Sequence, residues 1–263
     1  MNPGLQQPLD VRLMNVTATV LFTIGVLLLL AAFAWWLVRH PAFALGGITV
    51  QGEVTHNSAA TLRANVAPQL TGNFFTVDLA ATRRAFESVP WVRRAVVRRE
   101  FPNRLRVSLQ EHQPVAFWGE PAGSRLVNSF GEVFEASAGD DETEGLPTLG
   151  GPDGQAPQVL AMYRALGPVF EPLDLVLDQL VLTGRGSWRA GLDTGAELEL
   201  GRGEIAEVVP RVQRFVQTLT QVTSRYARRP EAVVSADLRY GDGYALRLRG
   251  VGTVEAAAPP GKR

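Results

Sequence analysis

A chain of 263 residues holds one large domain or two ordinary ones plus a membrane segment, and 46% hydrophobic with 20% charged residues is the composition of a chain that packs a core. Its 26 basic and 26 acidic side chains leave a net charge of +0, which argues against a protein that holds nucleic acid by displacing counterions with Lys and Arg. Cysteine is absent, which removes disulfides, thiolate nucleophiles, iron–sulfur ligands and most structural zinc sites together and leaves stability to burial.

From Val16 to Val38 no charged side chain occurs, and the run centres on Leu27, Leu28, Leu29 and Leu30. About 20 apolar residues in a helix cross a hydrocarbon core, so a transmembrane helix is expected over 16–38, with 1–15 as a short tail before it. Trp35 and Trp36, beside Arg39 and His40, supply the amphipathic rings and cationic groups that favour an interface. Ala32-Phe33-Ala34 has the small-x-small form of a cleavage site. A signal h-region is usually about 7–15 apolar residues, however, and the longer run favours a retained helix. Arg12 and Arg39 nearly balance across the span, so the positive-inside rule leaves orientation open.

After Pro41 the hydrophobic period changes. Gly47 to Gly52 reads as a short strand between glycines, and Ser58 as the N-cap of a helix carrying Leu62, Val66 and Leu70. A second helix is expected from about Leu79 to Ser88, ended by Pro90. Trp91 to Arg99 reads as a strand, Phe101-Pro102-Asn103 as a turn, and Leu105, Val107 and Leu109 alternate with polar residues as in a half-buried strand. The order is strand, helix, helix, strand, strand, over about 43–112.

From Gln113 to residue 250 a second unit is expected. Phe117-Trp118, Arg125 to Val127 and Val133-Phe134 are short strands separated by polar turns, which suggests a meander. The acidic run Asp140 to Glu144 lacks the alternating ligands and central Gly of an EF-hand and reads as a solvated loop. A helix through Val159, Leu160, Tyr163 and Leu166 follows, then strands at Leu175 to Leu182, Trp188 to Leu192 and Glu197 to Leu200. An amphipathic helix over about Glu204 to Tyr226 presents Val208, Val212, Phe215, Leu219 and Val222 on one face. Strands Ala232 to Tyr240 and Tyr244 to Leu248 flank Gly241-Asp242-Gly243, and 251–263 ends the chain as a flexible tail. The fold class is therefore α+β.

No chemistry-bearing constellation emerges. His40, His56 and His112 fall at a membrane edge, a loop and a strand end and read as surface histidines; with no H-E-x-x-H spacing, no metal site is expected. Gly184-Arg185-Gly186-Ser187 is not a nucleophile elbow, and Gly201-Arg202-Gly203 lacks the third glycine of a dinucleotide loop, so both read as turns. No catalytic residue, cofactor or small-molecule substrate is expected. Arg83, Arg84, Arg93, Arg94, Arg98, Arg99, Arg104 and Arg106 sit among only Glu87 and Glu100. They read first as a solvated face and second as a contact for an acidic partner or a membrane surface. The last strand is the stronger candidate. Tyr240, Gly243, Tyr244, Leu246 and Leu248 lie on or beside it, and a terminal strand often leaves a sheet edge that accepts a partner's strand.

Several blocks carry a family resemblance. Ile48 to Gly52, Pro90-Trp91-Val92, Phe101 to Val107 and Glu111 to Ala116 resemble a POTRA (polypeptide-transport-associated) domain. Leu126 to Phe134, Leu146 to Pro152, Ser187-Trp188, Leu200 to Gly203 and Asp237 to Tyr240 look like successive blocks of the FtsQ/DivIB family of bacterial cell-division scaffolds. The resemblance implies a non-enzymatic, single-pass inner-membrane protein of type II topology, enriched at the septum, with a cytoplasmic tail and its POTRA and β domains in the periplasm. It implies partners of the FtsB and FtsL type, contacts to FtsW/FtsI and FtsK, and a part in controlling septal peptidoglycan synthesis. It also places the strand after Tyr240 where FtsB is taken up, with Arg185 on the same surface. The competing reading is a POTRA chaperone or receptor of outer-membrane assembly or secretion, although only one POTRA copy and no barrel-length strand series is present.

Overall fold

The computed structural model describes residues 9–52, 54–137 and 139–251. The expected tail thus lies outside the described residues except for Val251, as do residues 1–8 of the expected N-terminal segment. The chain divides after Glu111 into two compact units.

The first helix, α1 (Leu9–Arg39), begins seven residues before the expected span, so residues 9–15 are helical rather than a tail. At about 1.5 Å per residue it is long enough to cross a bilayer. Its apolar side chains, Phe22, Leu28 and Leu29 among them, pack against no protein, a surface that water does not tolerate. The threonines inside the run satisfy themselves: the hydroxyls of Thr17, Thr19 and Thr23 donate to carbonyls four residues back at 2.9, 2.7 and 2.7 Å. Arg39 lies over the Trp35 ring at 4.4 Å, and Trp36 meets His40 edge-on at 5.0 Å.

The first unit has the element order expected of a POTRA-like domain: β1 (Gly47–Gly52), α2 (Ala59–Val66), α3 (Leu79–Glu87), β2 (Val92–Glu100) and β3 (Arg104–Glu111). Ser58 Oγ accepts from Thr61 N–H at 3.1 Å and Asp78 Oδ1 from Ala80 N–H at 2.8 Å, which satisfies donors that each helix start leaves open. Leu70 lies outside α2, because the chain tightens into a 3-10 turn at Ala67–Gln69 with a proline in its first turn. The sheet order is β1-β3-β2. β1 runs parallel to β3, which requires the helical crossover, and β2 joins β3 through the Phe101-Pro102-Asn103 turn. Strict alternation buries Leu105, Val107 and Leu109 and exposes Arg104, Arg106 and Ser108. Leu62, Val66, Phe86, Ala95, Val107 and Leu109 form the core.

Among the described residues the second unit is one sheet of nine strands in the order β12-β11-β10-β9-β8-β7-β4-β5-β6. Its strands are β4 (Pro114–Trp118), β5 (Arg125–Asn128), β6 (Val133–Glu135), β7 (Thr148–Gly150), β8 (Leu177–Leu182), β9 (Ser187–Leu192), β10 (Glu197–Arg202), β11 (Val233–Asp237) and β12 (Ala245–Leu248). The expected meander is present as β4-β5-β6. The acidic segment is a short helix, α4 (Asp140–Thr143), rather than a loop throughout. Two parallel neighbours are each bridged by a helix, β7 to β8 by α5 (Ala156–Phe170) and β10 to β11 by α6 (Ile205–Ser224). The helices cover one face, burying Val159, Leu166, Phe170, Val208, Val212, Phe215 and Leu219 with Leu180, Trp188, Ala190 and Leu198, and leave the other face open. Trp188 anchors this core and donates from Nε1 to the Gly203 carbonyl at 2.9 Å.

Two histidines are half-buried and partnered rather than free at the surface. His56 stacks on Trp91 at 3.8 Å and its Nδ1 meets Glu111 Oε2 at 2.9 Å. His112 stacks on Phe134 at 4.1 Å and its Nδ1 meets Asn128 Nδ2 at 2.8 Å. Flat rings at the ends of sheets find aromatic faces to cover, and sequence spacing does not reveal those partners.

Candidate partner-binding edge

β12 begins at Ala245, one residue later than expected, and β11 ends at Asp237, three residues before Tyr240. The intervening segment turns tightly on itself. Arg239 closes a bidentate pair on Asp237, Nε to Oδ1 at 2.9 Å and Nη2 to Oδ2 at 2.6 Å, and its own N–H donates to Oδ1 at 3.0 Å. These bonds from Arg239 hold the Asp237 carboxyl below its ordinary range. Leu238 is buried, and its N–H donates to the Glu199 carbonyl at 2.9 Å, which continues the parallel β10–β11 ladder past the strand end. Tyr244 then re-enters the core side: its ring meets Phe215 edge-on at 4.9 Å and its hydroxyl reaches Thr218 Oγ1 at 2.9 Å. The start of β12 is thereby tied to α6.

β12 pairs antiparallel with β11, with a register shift between Val233 and Ser235, and among the described residues no strand lies on its other side. Arg249 N–H donates inward to the Ala232 carbonyl at 2.8 Å. Inward and outward groups alternate along an antiparallel strand, so Arg247 and Ala245 also face β11, and the N–H groups of Leu246 and Leu248 point away from the sheet. The Leu248 carbonyl is closed off by Val251 N–H at 3.3 Å. What the edge offers is main-chain hydrogen bonding centred on Leu246.

The side chains divide differently from the backbone. Leu248 is 7% exposed and belongs to the core, and Leu246 and Tyr244 pack against that core. Of the residues expected to bind a partner, these three therefore have their side chains turned to the core rather than free. Tyr240 is 60% exposed. With Gly243 it borders a cavity of about 260 Å³ floored by Phe215, Thr218 and Tyr244. Ala245, Leu246 and Arg247 border a second hollow, about 520 Å³, on the open face beside Arg189, Glu197 and Glu199. Arg185, in the turn between β8 and β9, lines a third of about 800 Å³ with Arg189, Arg202, Arg211, Arg239 and Glu199. Arg189 and Glu199 line both of the last two hollows, so Arg185 and the β12 edge belong to one continuous surface. In the third hollow Glu199 is engaged by Arg189 at 2.7 Å. Arg211 is spent on the Leu200 and Arg202 carbonyls at 2.6 and 3.2 Å. The glycine at 201 serves this place: it sits at a register shift in β10 with φ +83, and a Cβ there would lie 3.2 Å from Arg239 Cγ and 3.3 Å from Arg211 Nη1.

Comparison with known proteins agrees with this architecture. The family model described as "POTRA domain, FtsQ-type" matches residues 43–112, and "Cell division protein FtsQ/DivIB, C-terminal" matches residues 116–239. Among curated relatives, the cell division protein FtsQ of Burkholderia pseudomallei is 42% identical over 92% of this chain and 94% of its own length. Those of Thiomonas arsenitoxydans and Bordetella pertussis are 39% and 40% identical, over 93% and 91% of this chain and 89% and 92% of their own. The chain belongs to the FtsQ/DivIB cell-division family.

Within this FtsQ-family chain the C-terminal family match includes Arg185 and stops at residue 239, before Tyr240, Gly243, Tyr244, Leu246 and Leu248. Sequence reading passed over Arg189, Arg211, Glu199, Phe215 and Arg247 as members of this surface. Arg189 and Glu199 occupy polar positions of period-two strands, a pattern shared by any solvated sheet face. Only the pairing of Glu199 with Arg189 across β9 and β10 shows that they meet.

Proposed function

We propose that this chain is a non-enzymatic, single-pass scaffold of the bacterial division machinery, whose β unit captures a partner of the FtsB type by strand addition at β12. α1 holds the chain in the inner membrane with both folded units in the periplasm and concentrated at the septum. Through FtsB, FtsL and contacts to FtsW/FtsI and FtsK the scaffold takes part in the control of septal peptidoglycan synthesis. One observation carries the mechanism: among the described residues, β12 of this cell-division family member lies at the end of the sheet with no strand on its outer side, where the Leu246 N–H points. Main-chain bonds then supply affinity, and the hollows beside Tyr240 and Arg185 supply specificity.

Leu246→Pro tests it. The lost N–H faces away from β11, the one setting in which an edge strand accepts proline, so the fold is retained. Titration calorimetry of the detergent-solubilised chain with an FtsB-type fragment is expected to show affinity reduced by about tenfold or more, equivalent to about 1.4 kcal/mol, with an unchanged circular dichroism spectrum. Wild-type affinity in the folded variant would exclude this edge.

A further inference from the structure

The eight arginines of the POTRA-type unit do not form one patch. Arg99 is structural: its guanidinium donates to the carbonyls of Phe74, Phe75 and Val77 at 2.7, 3.3 and 2.9 Å. Arg83 pairs with Glu87 along α3 at 3.7 Å. Arg84 stands on α3 as well, and the helix-free face of the sheet carries Arg98 directly across from Arg106 and Glu100 across from Arg104. Arg106 is neutralised by Glu100. Among the described residues no ion pair engages Arg98 or Arg104, and both are exposed.

These two arginines lie at one end of the sheet, and that end is marked by aromatics. Gly46 N–H donates to the Asn103 carbonyl at 2.9 Å, so the β2–β3 turn stands where the chain arrives from α1. The neighbouring loop closes on the end of that helix: Asn73 Nδ2 donates to the Val38 carbonyl, and Phe74 N–H to the Phe43 carbonyl at 2.9 Å. Phe75 packs on Phe43 at 4.8 Å and Phe74 faces Phe101 at 6.3 Å. Two of these rings stay uncovered, Phe75 at 45% and Phe101 at 78% exposure. Exposed aromatics flanked by cations at the mouth of an apolar helix have the composition of a membrane-interface belt.

We infer that this end of the POTRA-type unit is a second membrane contact, with Phe75 and Phe101 seated at the headgroup boundary and Arg98 and Arg104 on the phosphates of anionic phospholipid. The inference rests on the reading of α1 as a membrane span, because that span brings a bilayer to the Arg39 end of the helix, where the Asn73 bond to the Val38 carbonyl holds this loop. Arg99 serves the contact indirectly, since its three carbonyl bonds fix the loop that presents Phe75.

Because the chain has no cysteine, single nitroxide labels report cleanly. Leu29→Cys, Phe101→Cys and Ser108→Cys are labelled in the full chain. Each is reconstituted in nanodiscs of phosphatidylcholine alone and of a mixture with phosphatidylglycerol. Collision with dissolved oxygen, which concentrates in lipid, is compared with collision with an aqueous nickel chelate. The expected result is a Leu29 label deep in lipid, a Ser108 label in water, and a Phe101 label several-fold more oxygen-accessible than Ser108. That Phe101 preference rises with phosphatidylglycerol and falls with added salt. With Arg98→Gln and Arg104→Gln together, the dependence on phosphatidylglycerol is lost; its persistence would overturn the role of the arginines. A Phe101 label as aqueous as Ser108 above a deep Leu29 label would overturn the contact, leaving the span intact and the patch to a protein partner. An aqueous Leu29 label would overturn the span reading and the contact with it.

Discussion

The POTRA-type unit ends its sheet on β2, a nine-residue strand in which Arg93, Arg94, Arg98 and Arg99 are cationic, whereas the β unit ends on β12, the four residues Ala245, Leu246, Arg247 and Leu248. Both are edges among the described residues, although the Ala95 N–H of β2 is taken by Glu87 Oε1 at 3.2 Å, and they are managed in opposite ways. A long edge would template pairing with any extended chain, and the clustered charge of β2 opposes that. β12 has one charge, its apolar side chains turned inward and hollows to either side. It is short enough to resist indiscriminate pairing, and its low charge suits the strand addition proposed for it. The comparison teaches that the two edges of this chain use different devices, charge on the long strand and brevity on the short one.

The largest effect that tests the separateness of the two units is Trp188→Ala. It empties the centre of the β-unit core and removes the bond to the Gly203 carbonyl. Aromatic-to-alanine changes in cores cost about 3–5 kcal/mol. Denaturant unfolding is expected to show an early transition for the β unit, while the environment of Trp91 in the POTRA-type unit changes at its wild-type denaturant concentration. A single shifted transition for both would show that the units unfold as one.

Next in size is the buried carboxylate that closes the POTRA-type unit. Glu111 is 5% exposed. Burial raises its pKa, but the bonds from the His56 and Asn57 side chains and from the N–H groups of His56 and Thr55 outweigh that, and the net position is below the ordinary value. A carboxyl depressed in the folded state stabilises the fold above its unfolded pKa, and that contribution disappears as pH falls through the folded value. The midpoint for the Trp91 transition is therefore expected to drop on acidification below about pH 4.5, the ordinary glutamate value. Glu111→Gln should lower stability at neutral pH by about 2 kcal/mol, since donors are left facing an amide, and flatten the acid slope. An unchanged slope in Glu111→Gln would move the acid sensitivity to Asp78, whose carboxyl is likewise depressed by the backbone N–H groups of Ala81 and Ala80.

What could be read from the sequence follows from the range of the interactions involved. The apolar run of α1, the alternation of β3 and the Ser58 cap are local to one element and appear as expected; the stripe of α6 appears with Val216 and Thr223 buried and Val222 only half-buried. The 3-10 turn at Ala67–Gln69 needed only the weight of Pro68. Other features are non-local. Whether Arg185 meets Arg239 depends on β8, β9, β10 and β11 lying side by side. The division of the arginine cluster depends on which residues face each other across β2 and β3, and a shift by one residue would reverse it. The candidate edge was legible as a final hydrophobic strand, but the inward burial of Leu248 was not, because the core that covers it is assembled from other elements of the unit.

The smallest effect on stability separates the exposed aromatics of the two units. Tyr240 and Phe101 are both surface rings, at 60% and 78% exposure, and replacing either by alanine removes little buried area, so thermal unfolding is expected to move by no more than about 0.5 kcal/mol in each case. Their functions should then diverge. Tyr240 borders the hollow over Phe215 and Tyr244 beside the open edge, where an aromatic anchor contributes to an interface far beyond its share of the area. Tyr240→Ala is expected to weaken FtsB-type binding by about tenfold, or 1.4 kcal/mol, and Phe101→Ala to leave it unchanged, because Phe101 lies on the POTRA-type unit and serves the membrane surface. Calorimetry of the two variants side by side decides this: equal losses would mean that the partner spans both units, and no loss in Tyr240→Ala would confine recognition to the main chain of β12.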